Sequence, residues 1–316
     1  MLGLAAALAV PLAARGQGWP AKPVKIIVAY PPGGVADALA RALAERLAPV
    51  LGQSVVVDNK AGASGIIGMD AVAKAAPDGL TFGFSAISPL VLSPHLGKVP
   101  FDPARDIAPV ASVIASPVLL LSTQALAARD FKALLADAKA HPGAIRWATS
   151  GLASLGHIML EQIKAAAGVD ITHIPYKGGG QQVTDALSGQ FEVLSTNAGP
   201  AITGHIQAGK LHPLAVGSPQ RLQALSDVPT LAELDLPQAN LASVFGLFAP
   251  AGVPQAVIER MNAEVNKLLQ APDLRRQILA ADNLPTGGSA ADFAAFIARE
   301  SAANARIIAA ARIKAE

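Results

Sequence analysis

The chain has 316 residues, of which 52% are hydrophobic and 4% aromatic, and its 25 Lys and Arg against 23 Asp and Glu give a net charge of +2. The basic residues form no run and only two Trp and two Tyr are available for stacking, which excludes a typical nucleic-acid-binding protein. The absence of cysteine excludes disulfides, thiolate metal sites and a cysteine nucleophile.

The first 18 residues, MLGLAAALAVPLAARGQG, form a short apolar run that ends in small residues. This pattern is typical of a secretory signal peptide, here without its basic start, which a truncated beginning would explain. With roughly 13 apolar residues the segment is too short to span a bilayer comfortably. We predict a signal peptide over residues 1–18 and an exported, periplasmic protein; a disordered Ala-rich tail is the alternative.

The first part of the remaining chain alternates short strands and helices. We predict strands over 25–30, 54–59, 80–86 and 110–122, helices over 36–51 and 65–76, and a loop with five prolines over 88–109. In the first helix, apolar residues recur at helical spacing and predict one buried stripe: Leu39, Leu43, Leu47, Val50 and Leu51. Gly52 is expected to end this helix.

The rest of the chain repeats the alternation and ends in helices. The predicted strands cover 145–149, 171–177, 191–197, 213–218 and 244–252; the predicted helices cover 130–140, 153–167, 180–188, 200–208, 254–270, 273–281 and 289–312. Such alternation favours parallel sheets with crossover helices. The long apolar runs at 110–122 and 244–250 are expected to cross between two lobes. The first lobe comprises residues 19–122 and 243–316, and the second comprises residues 123–242.

Four strands lead through a glycine-rich or small-residue turn into a helix, at 25–34, 54–65, 145–151 and 172–180. A helix N-terminus carries unpaired N–H groups and the positive end of the helix dipole. Ligands of α/β sheets bind outside the carboxyl ends of the strands, where all four turns lie. Turns that meet in one cleft would form an anion site without a charged side chain.

Seven segments occur in this order: YPPGGVADALAR (30–41), VDNKAGASGIIGMDAVAKAAPDG (57–79), TSG with Ser154 and His157 (149–157), IPYKGGG to DALSGQ (174–190), GKLHPLAV (209–216), DVPTLAEL (227–234) and GLFAPAGVP (246–254). Together they resemble the Bug-type receptors, the periplasmic solute-binding proteins of tripartite tricarboxylate transporters, over about residues 19–316. The resemblance implies a two-lobed α/β Venus-flytrap fold of the type II periplasmic-binding-protein kind. It also implies a small carboxylate ligand between the lobes and delivery to a membrane permease.

In that family, the backbone of the first two loops holds one ligand carboxylate, largely through ordered waters, and the second lobe meets the variable remainder. The resemblance implies ligand-binding residues in three groups. They are Tyr30, Pro31, Gly33, Gly34, Ala36 and Asp37; then Gly62, Ala63, Ser64, Gly65, Ser85 and Ala86; then Thr149, Ser150, Gly151, Ser154, His157 and Asn197. Asp37 is expected to cap helix N–H groups instead of meeting an anion, and Ser64 to offer its hydroxyl.

The chain departs from the family pattern at three places. Ala36 replaces a common Thr or Ser, Lys60-Ala61 replaces Arg-Pro, and Val244 replaces an aromatic residue. The lost hydroxyl at Ala36 favours a ligand with fewer polar groups, or an extra water. We expect a mono- or dicarboxylate; an aromatic acid, an amino acid and a nicotinate-like compound all stay open.

Several residues have a simpler structural interpretation. His157 lies one turn into its predicted helix, where local packing or capping competes with ligand contact. Lys60 and Lys177 flank the cleft loops, either as solvated surface residues or as long-range attractors of an anion. The six histidines show no zinc-binding spacing, so neither a metal nor a cofactor is expected.

The sequence offers no nucleophile elbow and no carboxylate pair near the predicted cleft. We therefore expect a solute receptor and not an enzyme. It is expected to act as a monomer, with a small carboxylate and integral-membrane permease subunits as its partners and without nucleic acid. A ligand sensor for a membrane signalling partner is the alternative, and an enzyme on the same fold is the third interpretation.

Overall fold

The computed structural model describes residues 18–311, so the predicted signal peptide lies outside the described residues except for Gly18. The strands are β1 Val24–Val28, β2 Val55–Asn59, β3 Thr81–Ala86, β4 Ile107–Ser122, β5 Arg146–Thr149, β6 Thr172–Pro175, β7 Val193–Asn197, β8 His212–Gly217, β9 Ala242–Pro250 and β10 Leu284–Pro285. The helices are α1 Val35–Leu51, α2 Ile66–Ala73, α3 Ser88–Val91, α4 Ser93–Leu96, α5 Phe131–Ala140, α6 Leu155–Ala167, α7 Gly179–Leu187, α8 Pro200–Gln207, α9 Gln255–Gln270, α10 Pro272–Ala280 and α11 Ala290–Ala311.

Two sheets share β4, and each sheet is the centre of one lobe. The first sheet has the order β2-β1-β3-β9-β4-β10, and the second has the order β6-β5-β7-β4-β8. Residues 107–117 of β4 pair with β9, whereas Val118–Ser122 pair with β7 and β8. The strand therefore changes partners between Pro117 and Val118, where the chain passes from one lobe to the other.

The predicted parallel arrangement is present in three strands of each lobe, but both sheets also contain antiparallel pairs. Strands β1, β2 and β3 are mutually parallel, as are β5, β6 and β7. Strand β9 runs antiparallel to both β3 and β4, and β4 runs antiparallel to β7 and β8. Crossover helices connect strands within a lobe, whereas β4 and β9 carry the chain out of one lobe and back, so they run against their neighbours.

Each lobe has its own apolar core. In the first, Leu39, Leu43, Leu47 and Leu51 of α1 pack with β1 and β3, and Gly52 ends the helix in the left-handed conformation at φ 66°. Val50 is 40% exposed, so its predicted burial is wrong: it lies at the edge of the stripe, and Leu51 takes the last inward position. In the second lobe, α6 packs on β5 and Trp147 is fully buried.

The predicted loop over 88–109 contains two single-turn helices, α3 and α4. Each has proline in its first turn, at Pro89 and Pro94, where the missing N–H has no intrahelical partner to lose. The five prolines led to the prediction of a loop, but two of them begin short helices. No helix within residues 18–311 combines the length and apolar character that crossing a bilayer requires.

Candidate ligand-binding cleft

A cavity of about 280 Å³ lies between the lobes. All four predicted strand-to-helix turns contribute to its wall. From the first lobe come Pro31 to Gly34 and Ser64, and from the second come Ser150 and the pair Gly179-Gly180. The turns are far apart in sequence, but the carboxyl ends of their strands face one another across the cleft.

Four helices present their N-terminal turns to this cavity. The wall includes Gly34–Ala36 at the start of α1, Ser154–Gly156 at the start of α6, Gly179-Gly180 at the start of α7, and Gly199–Ala201 at the start of α8. N–H groups of a first helical turn have no partner within the helix, and the helix dipole adds a positive partial charge there. The cavity therefore has an electropositive character from both lobes.

Asp37 supports the first turn from behind. Its carboxylate accepts hydrogen bonds from Gly33 N at 3.0 Å, Arg41 Nε at 3.0 Å and Asn59 Nδ2 at 2.9 Å. Burial favours the neutral acid, but these donors outweigh burial and hold the pKa of Asp37 below its ordinary value of 3.8. Asp37 thus fixes the turn through the N–H of Gly33, which lies one residue before the N-cap of α1, and its charge is neutralised by Arg41.

The second turn has an unusual backbone. Four successive residues, Gly62, Ala63, Ser64 and Gly65, have positive φ, including 47° at Ala63 and 54° at Ser64. L-residues pay about 1–2 kcal/mol for this conformation. The turn directs the Ser64 hydroxyl across the cleft, where it donates a hydrogen bond to the Leu152 carbonyl. The sequence predicted that the Ser64 hydroxyl would donate to a ligand, but in the structure it donates to the opposite lobe.

The second-lobe loop 149–154 is fixed by two histidines behind it. Thr149 Oγ1 accepts from Gly151 N at 3.2 Å and lies 2.7 Å from His173 Nε2. Ala153 N donates to His157 Nδ1 at 3.3 Å. His157 lies behind the cavity wall. Its contacts there are local, which agrees with packing or capping, one of its two predicted roles.

Ten of the 18 predicted site residues line the cavity, and eight do not. The ten are Tyr30, Pro31, Gly33, Gly34, Ala36, Ser64, Ala86, Ser150, Ser154 and Asn197. Of the eight, Ala63 is exposed to solvent, and the other seven are buried behind the wall and shape the turns that form it: Asp37, Gly62, Gly65, Ser85, Thr149, Gly151 and His157. Ser85, for example, is fully buried on β3 while its neighbour Ala86 reaches the cavity.

The sequence interpretation missed several parts of the wall, and the longest of them is the segment from Ser195 to Ile202 apart from Asn197. This segment joins β7 to α8 and contains Gly199 followed by Pro200 at the first position of the helix. A strand followed by glycine and an N-terminal proline is a fifth strand-to-helix turn of the same type. Phe245 of β9 was also missed; it packs edge-on against Tyr30, with ring centroids 6.1 Å apart.

None of the described residues that line the cavity carries a charged side chain. Lys60 and Lys177 are exposed outside it. Burial raises the pKa of the Tyr30 phenol to about 12, so this wall residue stays neutral. A charge on a bound molecule therefore meets backbone dipoles and neutral polar side chains such as Thr196 and Asn197, and no ionised side chain of the described wall.

Comparisons with known proteins agree with this geometry. The sequence profile described as "Tripartite tricarboxylate transporter family receptor" matches residues 39–313. Protein BugT of Bordetella pertussis is 37% identical over 297 residues, which cover 93% of this chain and 90% of BugT. A protein encoded in the tcbD-tcbE intergenic region of Pseudomonas sp. strain P51 is 36% identical over 263 residues, covering 83% and 78% of the two chains.

Solved structures with the same fold include two with bound ligands. Rpa4515 of R. palustris with adipate superimposes with a TM-score of 0.89 at 33% identity, covering 94% of this chain and 99% of that one. MatC of Rhodopseudomonas palustris with malate gives 0.86 at 26% identity and coverages of 92% and 100%. The periplasmic binding protein BugD gives 0.87 at 26% identity, covering 94% and 100%. The two-lobed binding-protein fold is thus confirmed.

Proposed function

The chain belongs to the family of tripartite tricarboxylate transporter receptors, and on this premise we propose that it is an exported receptor that captures a small carboxylate and delivers it to a membrane permease. The observation that carries the proposal is the meeting of four helix N-termini, those of α1, α6, α7 and α8, at one cavity between the lobes. Such ends bind anions through backbone N–H groups and dipoles.

The wall also narrows the chemistry of the ligand. Because none of the described lining residues is acidic, a ligand ammonium group would meet positive helix ends and no carboxylate among them. Apolar side chains occupy much of the remaining wall: Val35, Val118, Leu155, Val183, Ile202 and Phe245. These features support a carboxylate with a hydrocarbon body and without an amino group, and the neighbours with adipate and malate support the same class.

The receptor works by closing over its ligand. The bodies that move are the two lobes, and we set the first boundary between them at Pro117 and Val118, where β4 changes partners, instead of at residue 122. Closure removes the ligand from water and creates the shape that a permease would recognise. The protein is exported, acts as a monomer and catalyses no reaction on its ligand.

A binding test uses matched charged and neutral compounds. Thermal unfolding is measured with adipate, hexanoate and the neutral analogue adipamide, and calorimetry gives the dissociation constants. A carboxylate at 100 times its dissociation constant should stabilise the protein by about 2.7 kcal/mol, whereas adipamide should have no effect. Equal stabilisation by adipamide, or none by a broad panel of carboxylates, would contradict the proposal.

Delivery needs a separate test, because a sensor would bind the same ligand. The ligand-loaded protein is added to vesicles that contain its candidate permease, and uptake of labelled ligand is followed. Uptake that depends on the protein supports transport. Specific capture of a membrane signalling protein with no stimulated uptake would establish the sensor alternative instead. Mass spectrometry of the recovered ligand checks for turnover.

A further inference from the structure

Beside the cavity, two contacts join turns of the first lobe to turns of the second lobe. At one, the Ser64 hydroxyl donates to the Leu152 carbonyl, next to Gly151. At the other, Pro31 lies against the glycines before and within α7. A Cβ built on Gly178 would lie 2.6 Å from Pro31 Cδ, and one on Gly180 would lie 3.7 Å from Pro31 Cβ. Both contacts join one lobe to the other.

The lobes come this close because glycine, which has no side chain, occupies both contact positions on the second lobe. A Cβ at Gly151 would collide with the Ser64 side chain, just as one at Gly178 would collide with Pro31. The second lobe therefore has two gaps, at Gly151 and Gly178. Ser64 of the first lobe fills the gap at Gly151, and Pro31 fills the gap at Gly178. The strained backbone of the second turn, with positive φ at Ala63 and Ser64, directs the Ser64 hydroxyl towards Gly151 and Leu152.

We propose that these two contacts form a closing latch, in which Ser64 and Pro31 dock against the Gly151 loop and the start of α7 and set the open–closed equilibrium independently of the ligand. The inference rests on the proposed function, since it explains how the two lobes close. It assigns Ser64 to closure instead of to ligand binding. Part of the closed population then exists before any ligand arrives, and ligand binding increases it.

In the ligand-free protein, a side chain at Gly180 tests closure, although Gly180 also lines the cavity. Its backbone is helical, and the atoms within 4 Å of a Cβ there, among described residues outside the local helix, are Pro31 Cβ and Pro32 O of the first lobe. Gly180→Leu should therefore leave each lobe intact but hold the lobes apart. Gly204→Leu is the matched control, because a Cβ there has open space around it and Gly204 also lies in a helix.

The first measurement is X-ray scattering of the ligand-free protein, with thermal unfolding to verify folding. We expect Gly180→Leu to increase the radius of gyration, Ser64→Ala to shift it in the same direction by less, and Gly204→Leu to leave it unchanged. If Gly180→Leu, Ser64→Ala and the wild type give superimposable profiles, the latch does not exist. This outcome is independent of ligand binding, so it is separable from a failure of the proposed function.

The second measurement uses adipate as the probe in stopped-flow binding. Loss of one hydrogen bond worth about 0.5–1.5 kcal/mol predicts that Ser64→Ala raises the dissociation rate constant about 2- to 13-fold and leaves the association rate constant within about 2-fold. An unchanged dissociation rate would overturn the role of Ser64. A reduced association rate with an unchanged dissociation rate would also overturn it, because that pattern would point to a role in first encounter.

Discussion

The imidazole rings of His157 and His173 stack in parallel behind the second-lobe loop, with centroids 4.2 Å apart and an angle of 6° between their planes. His173 lies 2.7 Å from Thr149 Oγ1, and His157 Nδ1 accepts from Ala153 N. The pair therefore holds both ends of the loop that carries Ser150 and Leu152.

The stacked pair makes stability depend on pH. Burial, together with the nearby His157 and Lys164, lowers the pKa of His173 from 6.5 to about 3. Between these values the unfolded imidazole binds a proton and the folded one does not, so stability is complete above pH 6.5 and decreases as the pH falls towards 3. One group contributes a slope of at most about 1.4 kcal/mol per pH unit.

His173→Gln isolates this contribution. The glutamine amide can keep a hydrogen bond to Thr149, but it does not titrate. Urea denaturation at pH values from 7.5 to 4 should show a flatter decline in unfolding free energy for the variant than for the wild type. His141→Gln, which removes a side chain that is 67% exposed, is the control. Parallel declines for His173→Gln and the wild type would refute the assignment.

Gly34 offers a direct test of backbone approach to the ligand. It lies at the N-cap of α1 with φ −80°, and a Cβ there would approach only Pro31 O, at 3.9 Å. The fold therefore tolerates a side chain, but that side chain narrows the cavity. We predict that Gly34→Val keeps its unfolding midpoint within a few degrees and weakens adipate binding at least 10-fold by calorimetry.

The control for that variant is Gly97→Val. Gly97 has extended backbone and open space around its Cβ position, and it does not line the cavity. Gly65→Val would be a poor probe, because Gly65 has φ 98° and a Cβ there would lie 2.9 Å from Pro89 Cγ. Unchanged binding by Gly34→Val would show that the start of α1 does not approach the ligand.

Asp37 is predicted to stabilise the cleft without touching the ligand. Asp37→Ala removes the acceptor of three part-buried hydrogen bonds, from Gly33 N, Arg41 Nε and Asn59 Nδ2, and should lower the unfolding free energy by about 2 kcal/mol. Because its folded pKa is lowered, the carboxylate contributes above pH 3.8 and loses its contribution below that value. Urea denaturation at pH 7 measures the loss, with exposed Asp227→Ala as the control; equal losses would contradict the capping role.

The sequence predicted most elements of this fold because their signals are local. The Leu39, Leu43 and Leu47 stripe, the ending at Gly52 and the Gly-rich turns each depend on a few neighbouring residues. The antiparallel direction of β9 was not predictable in this way, because it depends on where the chain re-enters the first lobe. The single-turn helices α3 and α4, which contain Pro89 and Pro94, were not predicted because proline is common both in loops and in the first turn of a helix.

The sequence predicted which turns lie at the cleft better than it predicted which of their residues line the cavity. The family motif includes Asp37, Gly65 and His157, but a motif does not separate residues that line a cavity from those that hold its wall. Ser64 shows the difference most clearly: its hydroxyl was expected to face the ligand, and instead it reaches Leu152 in the other lobe. That contact joins residues 88 positions apart, and no local pattern encodes it.

The absence of charge in the wall predicts discrimination against amino groups. Adipate and 2-aminoadipate differ by one ammonium group, which in this cavity would face the N-terminal turns of α1, α6, α7 and α8 with no acidic side chain among the described lining residues. An ammonium that loses hydration without gaining a partner is disfavoured. We predict at least 10-fold weaker binding of 2-aminoadipate by calorimetry, with 2-methyladipate as the control for size. If 2-aminoadipate binds as tightly as adipate while 2-methyladipate does not, a ligand-facing acceptor exists and the electropositive description of the cleft is wrong.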